Sequence, residues 1–488
     1  MRPLRQLPSG IALLTALLLI ACSSTLPQQA KQQELLNLLS EQLQQAQLPR
    51  DALAFVAYPL DKPALQLSYQ SGKAMQPAST MKLVTSIVAL EQLGPSYRGK
   101  TQLRSYEEPA DKMQQPLVLK GFGDMDFTVQ ELWSLLQQAY DQGIHHVPAI
   151  QIDRSWFNPT RLELTALPFD ETPREYYNLL PDALFLQRNM LGVRIQSTTD
   201  TVTGQLYPRI QGLELVTTDV RLVASGCADW YPDPKQLAFK RQPHSVQLVL
   251  QGDFPKNCQK RDYLQLINRV DFSRLLVQQL WQQISGQQQV QVLEQATSEA
   301  TVLLAEHQSR ALAEVLRDIN KSSDNALTRQ LYLALGATQV NTGNTLTAQT
   351  SEQQVRSFFS SIQLDHSSLT LENGSGLSRS ERISPDLMAA LLQHAYNAEY
   401  QLELISSLPL AGVDGTLKRR LTQAQTKGKA RLKTGTLRNV TALAGFVTDQ
   451  SGRSWVVASF INDPKASRGR NVLDSLIEWI TMQSVSIE

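Results

Sequence analysis

Hydrophobic positions along this chain follow several rhythms, each predicting a different element. Near the N-terminus an unbroken apolar run, Ile11 to Ala21, follows Arg2 and Arg5. It is too short to span a bilayer stably and has the form of an export signal's hydrophobic region. From Glu34 to Gln45 leucines recur at helical spacing (Leu35, Leu36, Leu38, Leu39, Leu43), which predicts an amphipathic helix. Leu53 to Tyr58 and Ala64 to Tyr69 read as strands, and the turn-rich link Pro59 to Pro63 makes an antiparallel hairpin the simplest arrangement. A helix is expected from about Ser79, with Met81, Leu83, Val84, Ile87, Val88 and Leu90 as a wide apolar stripe.

The far end of the chain has matching character. Val440 to Val447 and Ser454 to Ile461 read as strands around the turn Asp449 to Gly452, and a last helix is expected over about Asn471 to Met482. Strands and helices at both ends predict one antiparallel sheet closed by both termini, with helices against it: an α+β fold. Everything between is then an excursion. It mixes strand-like runs (Leu117 to Lys120, Ala149 to Ile152, Val193 to Gln196, Ser245 to Leu250) with helices such as Thr128 to Gln142, and helical spacing resumes at Ser309.

Composition narrows the class. At 488 residues the chain is too long for one ordinary core, and a formal net charge of +1 gives no reason to expect a nucleic-acid partner. The run Leu19-Ile20-Ala21-Cys22-Ser23-Ser24 resembles the lipobox of bacterial lipoproteins, in which Cys22 is acylated and becomes the mature N-terminus. That reading implies a membrane lipid anchor, and Ser23 after the cysteine favours the outer membrane, on the periplasmic side of the envelope. Cys227 and Cys258 then lie in an oxidising compartment, where a disulfide is expected of them. The histidines are scattered, and His145-His146 has no accompanying ligand spacing, so neither a metal nor another cofactor is expected.

Candidate chemistry begins at Ser79-Thr80-Met81-Lys82. At a helix start the Ser79 hydroxyl lies beside unsatisfied backbone N–H groups, a setting that favours a developing oxyanion. Residues three apart share a helix face, so the Lys82 amine can reach the Ser79 oxygen, and a lysine among other cations can lose its proton and act as base. Alone the pattern is weak. Ser323-Asp324-Asn325 and Lys433-Thr434-Gly435-Thr436 follow in order. Ser323 can relay a proton to a leaving amine, and the Asn325 amide can orient Lys82 and hold a substrate backbone group. The Lys433 cation suits a substrate carboxylate and helps keep Lys82 neutral. Gly435 permits close approach of a substrate backbone, and the Thr436 N–H can pair with that of Ser79 as an oxyanion hole.

S-x-x-K, S-D-N and K-T-G are together the set shared by penicillin-binding proteins and class A β-lactamases. The long stretch from Lys82 to Ser323 resembles the D-alanyl-D-alanine carboxypeptidase/endopeptidases of the penicillin-binding protein 4 (DacB-like, class C, peptidase family S13) type. Gln76 to Lys82, Asn373-Gly374-Ser375-Gly376-Leu377-Ser378-Arg379 and Leu408 to Gly415 look like that family as well. The sequence Gly121-Phe122-Gly123-Asp124-Met125-Asp126 departs from it by lacking a proline after the aspartate, and a lipobox is not general among its members.

The resemblance implies a penicillin-binding, transpeptidase-like domain built from both chain ends around two smaller nested domains. The expected boundaries are a lipoprotein signal peptide at 1–21, a polar tether at 22–33, the first part of the transpeptidase-like domain at 34–97, inserted domains at 98–306 and its second part at 307–488. It also implies peptidoglycan stem peptides as substrate, a Ser79 acyl-enzyme that water resolves, and β-lactams as covalent inhibitors. Ser79, Lys82, Ser323 and Asn325 would be catalytic, with Lys433, Thr434, Gly435 and Thr436 binding substrate. Two alternatives stand beside this: a β-lactamase, which lacks support because no class A type Glu-x-x-Leu-Asn element is found, and a non-catalytic wall-binding scaffold lipoprotein.

Overall fold

The computed structural model describes residues 11–162, 175–230, 237–241, 246–297, 302–339 and 345–484. The chain divides into two compact units: Met1–Ile87 with Asn320–Ser323 and Arg356–Glu488, and Val88–Ile319 with Asp324–Val355.

In the first unit the N-terminal strand Leu53–Pro59 pairs antiparallel with the C-terminal strand Ser454–Asn462, Leu53 opposite Ile461 and Pro59 opposite Trp455. Both ends of the chain thus close one sheet. Among the described residues it has five strands in the order Ala430–Leu437, Val440–Thr448, Ser454–Asn462, Leu53–Pro59 and Leu67–Tyr69, with every neighbouring pair antiparallel.

On one face Phe55, Ala57, Leu443, Val457 and Ile461 join Leu35, Leu39 and Leu43 of the N-terminal helix and Leu473, Leu476 and Ile480 of the last helix in a single hydrophobic cluster. Each fully buried leucine or isoleucine there contributes roughly 1.5–3 kcal/mol. On the opposite face lies the helix Pro385–Tyr396, where the Tyr58 hydroxyl donates to Gln393 Oε1 (3.0 Å) and that of Tyr396 to Ser454 Oγ (3.1 Å). That helix starts sharply because Ser384 Oγ accepts from the Leu387 N–H and Pro385 occupies the first helical position. Covering on both faces explains why Leu53–Pro59 is buried along its whole length instead of alternating.

Two local expectations change. Strand structure in the hairpin's second arm is confined to Leu67–Tyr69, because Pro63–Leu65 forms a 3-10 turn whose proline has a fixed φ and no N–H to give a ladder. The segment 22–33, read as a tether, is helical, part of one helix Ile11–Gln45 that continues into the leucine-rich stretch. Its glutamines, with Ala30 and Lys31, have good intrinsic helix propensity. The last helix spans Arg470–Thr481 and the final strands Val440–Thr448 and Ser454–Asn462, each within a residue or so of the sequence reading.

The second unit contains, among its described residues, a mixed five-stranded sheet ordered Gln291–Glu294, Ala149–Asp153, Leu117–Phe122, Lys100–Ser105 and Val302–Gln308, and two three-stranded sheets. One hydrophobic cluster runs through them, from Leu103, Leu119 and Ile150 to Leu191, Val193, Leu248 and Phe254, with the helices Val129–Asp141 and Arg269–Ser285 contributing Leu136 and Trp281. Cys227 and Cys258 are joined by a disulfide.

The expected boundary at 306/307 falls elsewhere, since most of the helix Leu312–Lys321 and all of Asn325–Ala337 belong to this unit. The Gln330 side chain explains part of the shift: it accepts from the Asp182 N–H (3.0 Å) and donates to the Asp182 carbonyl (2.7 Å). The buried Asp124 carboxyl binds His307 Nδ1 (2.6 Å), the Thr101 hydroxyl (3.2 Å) and the Asp126 N–H (3.0 Å), so the motif lacking proline forms a hydrogen-bonded corner.

Candidate active site

Ser79 does not sit in the first turn of an α-helix, as its sequence context suggests. Ala78–Met81 is a 3-10 turn, and the α-helix begins at Lys82 and runs to Leu93. Ala78 has φ +46°, a left-handed conformation that costs an alanine of order 1–3 kcal/mol and persists only where its surroundings enforce it. Two glycines enforce it. A Cβ on Gly376 would lie 1.8 Å from the Ala78 carbonyl oxygen, and one on Gly435 would lie 2.5 Å from that of Pro77. Only residues without a side chain let the Asn373 to Arg379 loop and the Lys433 strand close on the turn that presents Ser79.

The tight turn brings Lys82 Nζ to 3.0 Å from Ser79 Oγ. Lys82 is fully buried, and its amine also donates to the Ser375 carbonyl (2.6 Å). Ser79 is only partly covered, leaving the hydroxyl reachable.

Across the same unit, Lys433 lies on the edge strand Ala430–Leu437 as read from the sequence, but it is fully buried. Its Nζ donates to Ser323 Oγ (2.9 Å) and to the Thr434 carbonyl (2.8 Å). Burial, and then the positive charge of Lys82, push the Lys433 amine well below the usual lysine range. The two amines disfavour being charged together, and Lys433 is held within the wall of the site. Thr434 Oγ1 donates to Thr416 Oγ1 (2.8 Å), Gly435 is buried, and Thr436 opposite Thr441 is exposed.

Ser323 is placed by the residues before it. Asn320 Nδ2 donates to Ser407 Oγ (2.9 Å) and Ser86 Oγ (3.3 Å), while Lys321 Nζ donates to the Leu408 carbonyl (2.9 Å) and pairs with Asp414 (2.6 Å). Asp414 Oδ1 in turn accepts from the Leu410 N–H (2.9 Å), so the Leu408 to Gly415 stretch serves as the socket for this loop. Ser323 itself has φ +63°, a second strained residue in the site.

Asn325 belongs to the second unit, as the first residue of the helix Asn325–Ala337 capped by Asp324 Oδ1. There its Nδ2 donates to the Tyr177 carbonyl (3.4 Å), and Asp324 Oδ2 accepts from the Tyr176 hydroxyl (2.5 Å) and from Arg188 (3.3 Å).

The structure thus joins Ser79 to Lys82 and Ser323 to Lys433 by direct hydrogen bonds. The resemblance placed Asn373 to Arg379 at the rim of the site but gave Ser375, whose backbone carbonyl contacts Lys82, no role of its own, and nothing in the sequence pointed to Glu381, which holds that loop. A carbonyl has no side-chain signature; the glycines flanking Ser375 were the available sign.

The model of the D-Ala-D-Ala carboxypeptidase 3 (S13) family matches residues 35–483. The chain belongs to that family. Among its relatives is a D-alanyl-D-alanine carboxypeptidase of Actinomadura sp. (strain R39), 27% identical over 406 residues that cover 79% of this chain and 73% of the relative. Another is D-alanyl-D-alanine carboxypeptidase DacB of Haemophilus influenzae, 24% identical over 436 residues that cover 84% and 85%. The crystal structure of penicillin-binding protein 4 (dacB) from Haemophilus influenzae superposes with a TM-score of 0.72 over 90% of this chain and 99% of its own, at 22% identity, which establishes the common fold. The same protein has been solved complexed with a novel β-lactam. This S13 member is accordingly a serine hydrolase of the penicillin-binding D-Ala-D-Ala carboxypeptidase class.

Proposed function

We propose that Ser79 is the acylated nucleophile and Lys82 its general base, cleaving the bond before the terminal D-alanine of peptidoglycan stem peptides. The observation that carries this is the 3.0 Å hydrogen bond between Lys82 Nζ and Ser79 Oγ in a buried setting. Ser79 Oγ attacks the penultimate carbonyl carbon while its proton passes to the unprotonated Lys82 amine. Ser323, hydrogen-bonded to Lys433, relays a proton to the leaving amino group of D-alanine. The N–H groups of Ser79 and Thr436 bind the oxyanion.

A bound C-terminal carboxylate favours the charged form of Lys433, which burial otherwise opposes, and Thr434 and Gly435 line its place. Water then resolves the acyl-enzyme, with Lys82 and Ser323 serving again. Where the leaving amine belongs to a cross-linked amino acid, the same steps make an endopeptidase. β-Lactams acylate Ser79 because their strained amide occupies the position of the scissile bond.

Cys22 carries a lipid that tethers the enzyme to the outer membrane, facing the periplasmic peptidoglycan. Among the described residues no helix is long and apolar enough to cross a membrane. Two measurements test this reading. D-Alanine release from a synthetic peptide ending in D-Ala-D-Ala should fall to background in Ser79→Ala, and metabolic labelling with a fatty acid should mark the wild type but not Cys22→Ala. Undiminished release by Ser79→Ala defeats the catalytic assignment, and equal labelling defeats the anchor.

A further inference from the structure

Glu381 is a fully buried carboxylate outside the three motifs, and both of its oxygens are taken by backbone amides. Oε1 accepts from the N–H groups of Glu372 (3.2 Å), Asn373 (3.0 Å) and Gly374 (2.8 Å), and Oε2 from that of Gly376 (2.8 Å). The loop is closed at its base by reciprocal backbone bonds between Thr370 and Arg382 (2.9 and 3.1 Å). Within it Ser375 N–H and Oγ both donate to Asn373 Oδ1 (3.0 and 2.6 Å), and the Gly374 carbonyl accepts from Thr85 Oγ1 (2.7 Å).

One peptide unit connects this carboxylate to the reacting groups. The Gly376 N–H bound by Glu381 and the Ser375 carbonyl bound by Lys82 belong to the same planar amide, in which N–H and C=O point in opposite directions. A carboxylate oxygen accepting from one end of an amide polarises it and strengthens its oxygen as an acceptor at the other, while the four N–H donors counter the burial that raises the Glu381 pKa. The four amides also fix the height of Gly376, whose α-carbon closes on the strained Ala78 turn.

We propose that Glu381 is a positioning residue for catalysis: acting through the Ser375–Gly376 peptide, it sets the location of the Lys82 amine and, through Gly376, the Ala78–Ser79 turn. The proposal rests on the reading of Ser79 and Lys82 as nucleophile and base. It predicts an effect on the chemical step rather than on ligand capture, because Glu381 itself is sealed from any substrate. Glu381→Gln keeps the side-chain volume but turns a donor toward one of the amides it must accept from.

The test is stopped-flow acylation by benzylpenicillin, resolved into the dissociation constant of the initial complex and the first-order rate constant of adduct formation. In Glu381→Gln the rate constant should fall by roughly ten- to a hundredfold, as displacements of catalytic groups do. The dissociation constant should stay within about twofold, and the adduct should still reach one per chain. A loss of structure alone lowers the amplitude and leaves the rate constant of the reacting fraction unchanged.

An unchanged rate constant in Glu381→Gln overturns the proposal. If that variant does not fold, Thr85→Val, which releases the adjoining Gly374 carbonyl, is read by the same criterion. A wild type that forms no Ser79 adduct defeats the assignment of the site itself. A wild type that acylates no faster than Glu381→Gln defeats only the role of Glu381.

Discussion

Gly376 lies against Ala78 so closely that a single added carbon would stand 1.8 Å from the Ala78 carbonyl oxygen. The obstructing atom is backbone in the turn that presents Ser79, so it can yield only by moving the nucleophile. Gly376→Ala should cost about 1–3 kcal/mol in overpacking, and roughly 1–2 more because its φ is +77°. Acylation should slow in parallel. Gly428→Ala is the control: its φ is +78°, yet nothing lies within 4 Å of the added carbon, so only the conformational part remains. Equal losses in the two variants, measured by denaturant unfolding, would contradict the clamp.

Lys433 should show function held against stability. Burial and the neighbouring Lys82 charge depress its pKa in the folded state, whereas in the unfolded chain it titrates near about 10.4. Between those two values the unfolded chain binds more protons, so stability rises with pH across that window, and below it the full penalty persists. Lys433→Met removes an amine that burial penalises whenever it is protonated, so at neutral pH it should unfold no earlier than wild type while acyl-enzyme formation falls by roughly a hundredfold or more. A variant markedly less stable than wild type would show that the bonds to Ser323 and Thr434 outweigh the cost of burial.

The Asp124–His307 pair predicts a pH trend within the second unit. The hydrogen bond to Asp124 raises the His307 pKa above its ordinary value, and burial raises that of Asp124. For a raised pKa, the stabilisation is complete below the unfolded value, about 6.5 for histidine, and is lost as pH climbs through the folded one. Asp124 acts in the same direction from about pH 3.9 upward. The wild-type unfolding midpoint should therefore exceed that of His307→Gln at pH 6, by a margin that narrows by pH 8.5. A margin independent of pH would contradict this coupling.

Much of the architecture was legible because it is written in local periodicity. The strands Leu53–Pro59, Val440–Thr448 and Ser454–Asn462 are dense in apolar residues between turn signals, and their closure into one sheet follows from the matching ends of the chain. The three motifs were equally visible, since each is a short run of side chains with its own fixed spacing. Features set by contacts distant in sequence were not. The 3-10 turn at Ala78–Met81 is imposed by Gly376 and Gly435, and the burial of Lys433 depends on packing that no local pattern records. Glu381 reads as one more acidic residue in a polar stretch until folding brings four amides around it. Polarity alone reads 22–33 as a tether, whereas its glutamines favour the helix that forms.

The central claim is that Ser79, activated by Lys82, forms a covalent acyl-enzyme. Intact-mass spectrometry of the purified protein after exposure to benzylpenicillin tests it most directly, with Ser79→Ala and Lys82→Ala alongside. The account predicts one adduct per chain on the wild type, none on Ser79→Ala, and an adduct on Lys82→Ala that forms and decays far more slowly. An adduct of equal yield on Ser79→Ala, or no adduct on the wild type, would contradict it.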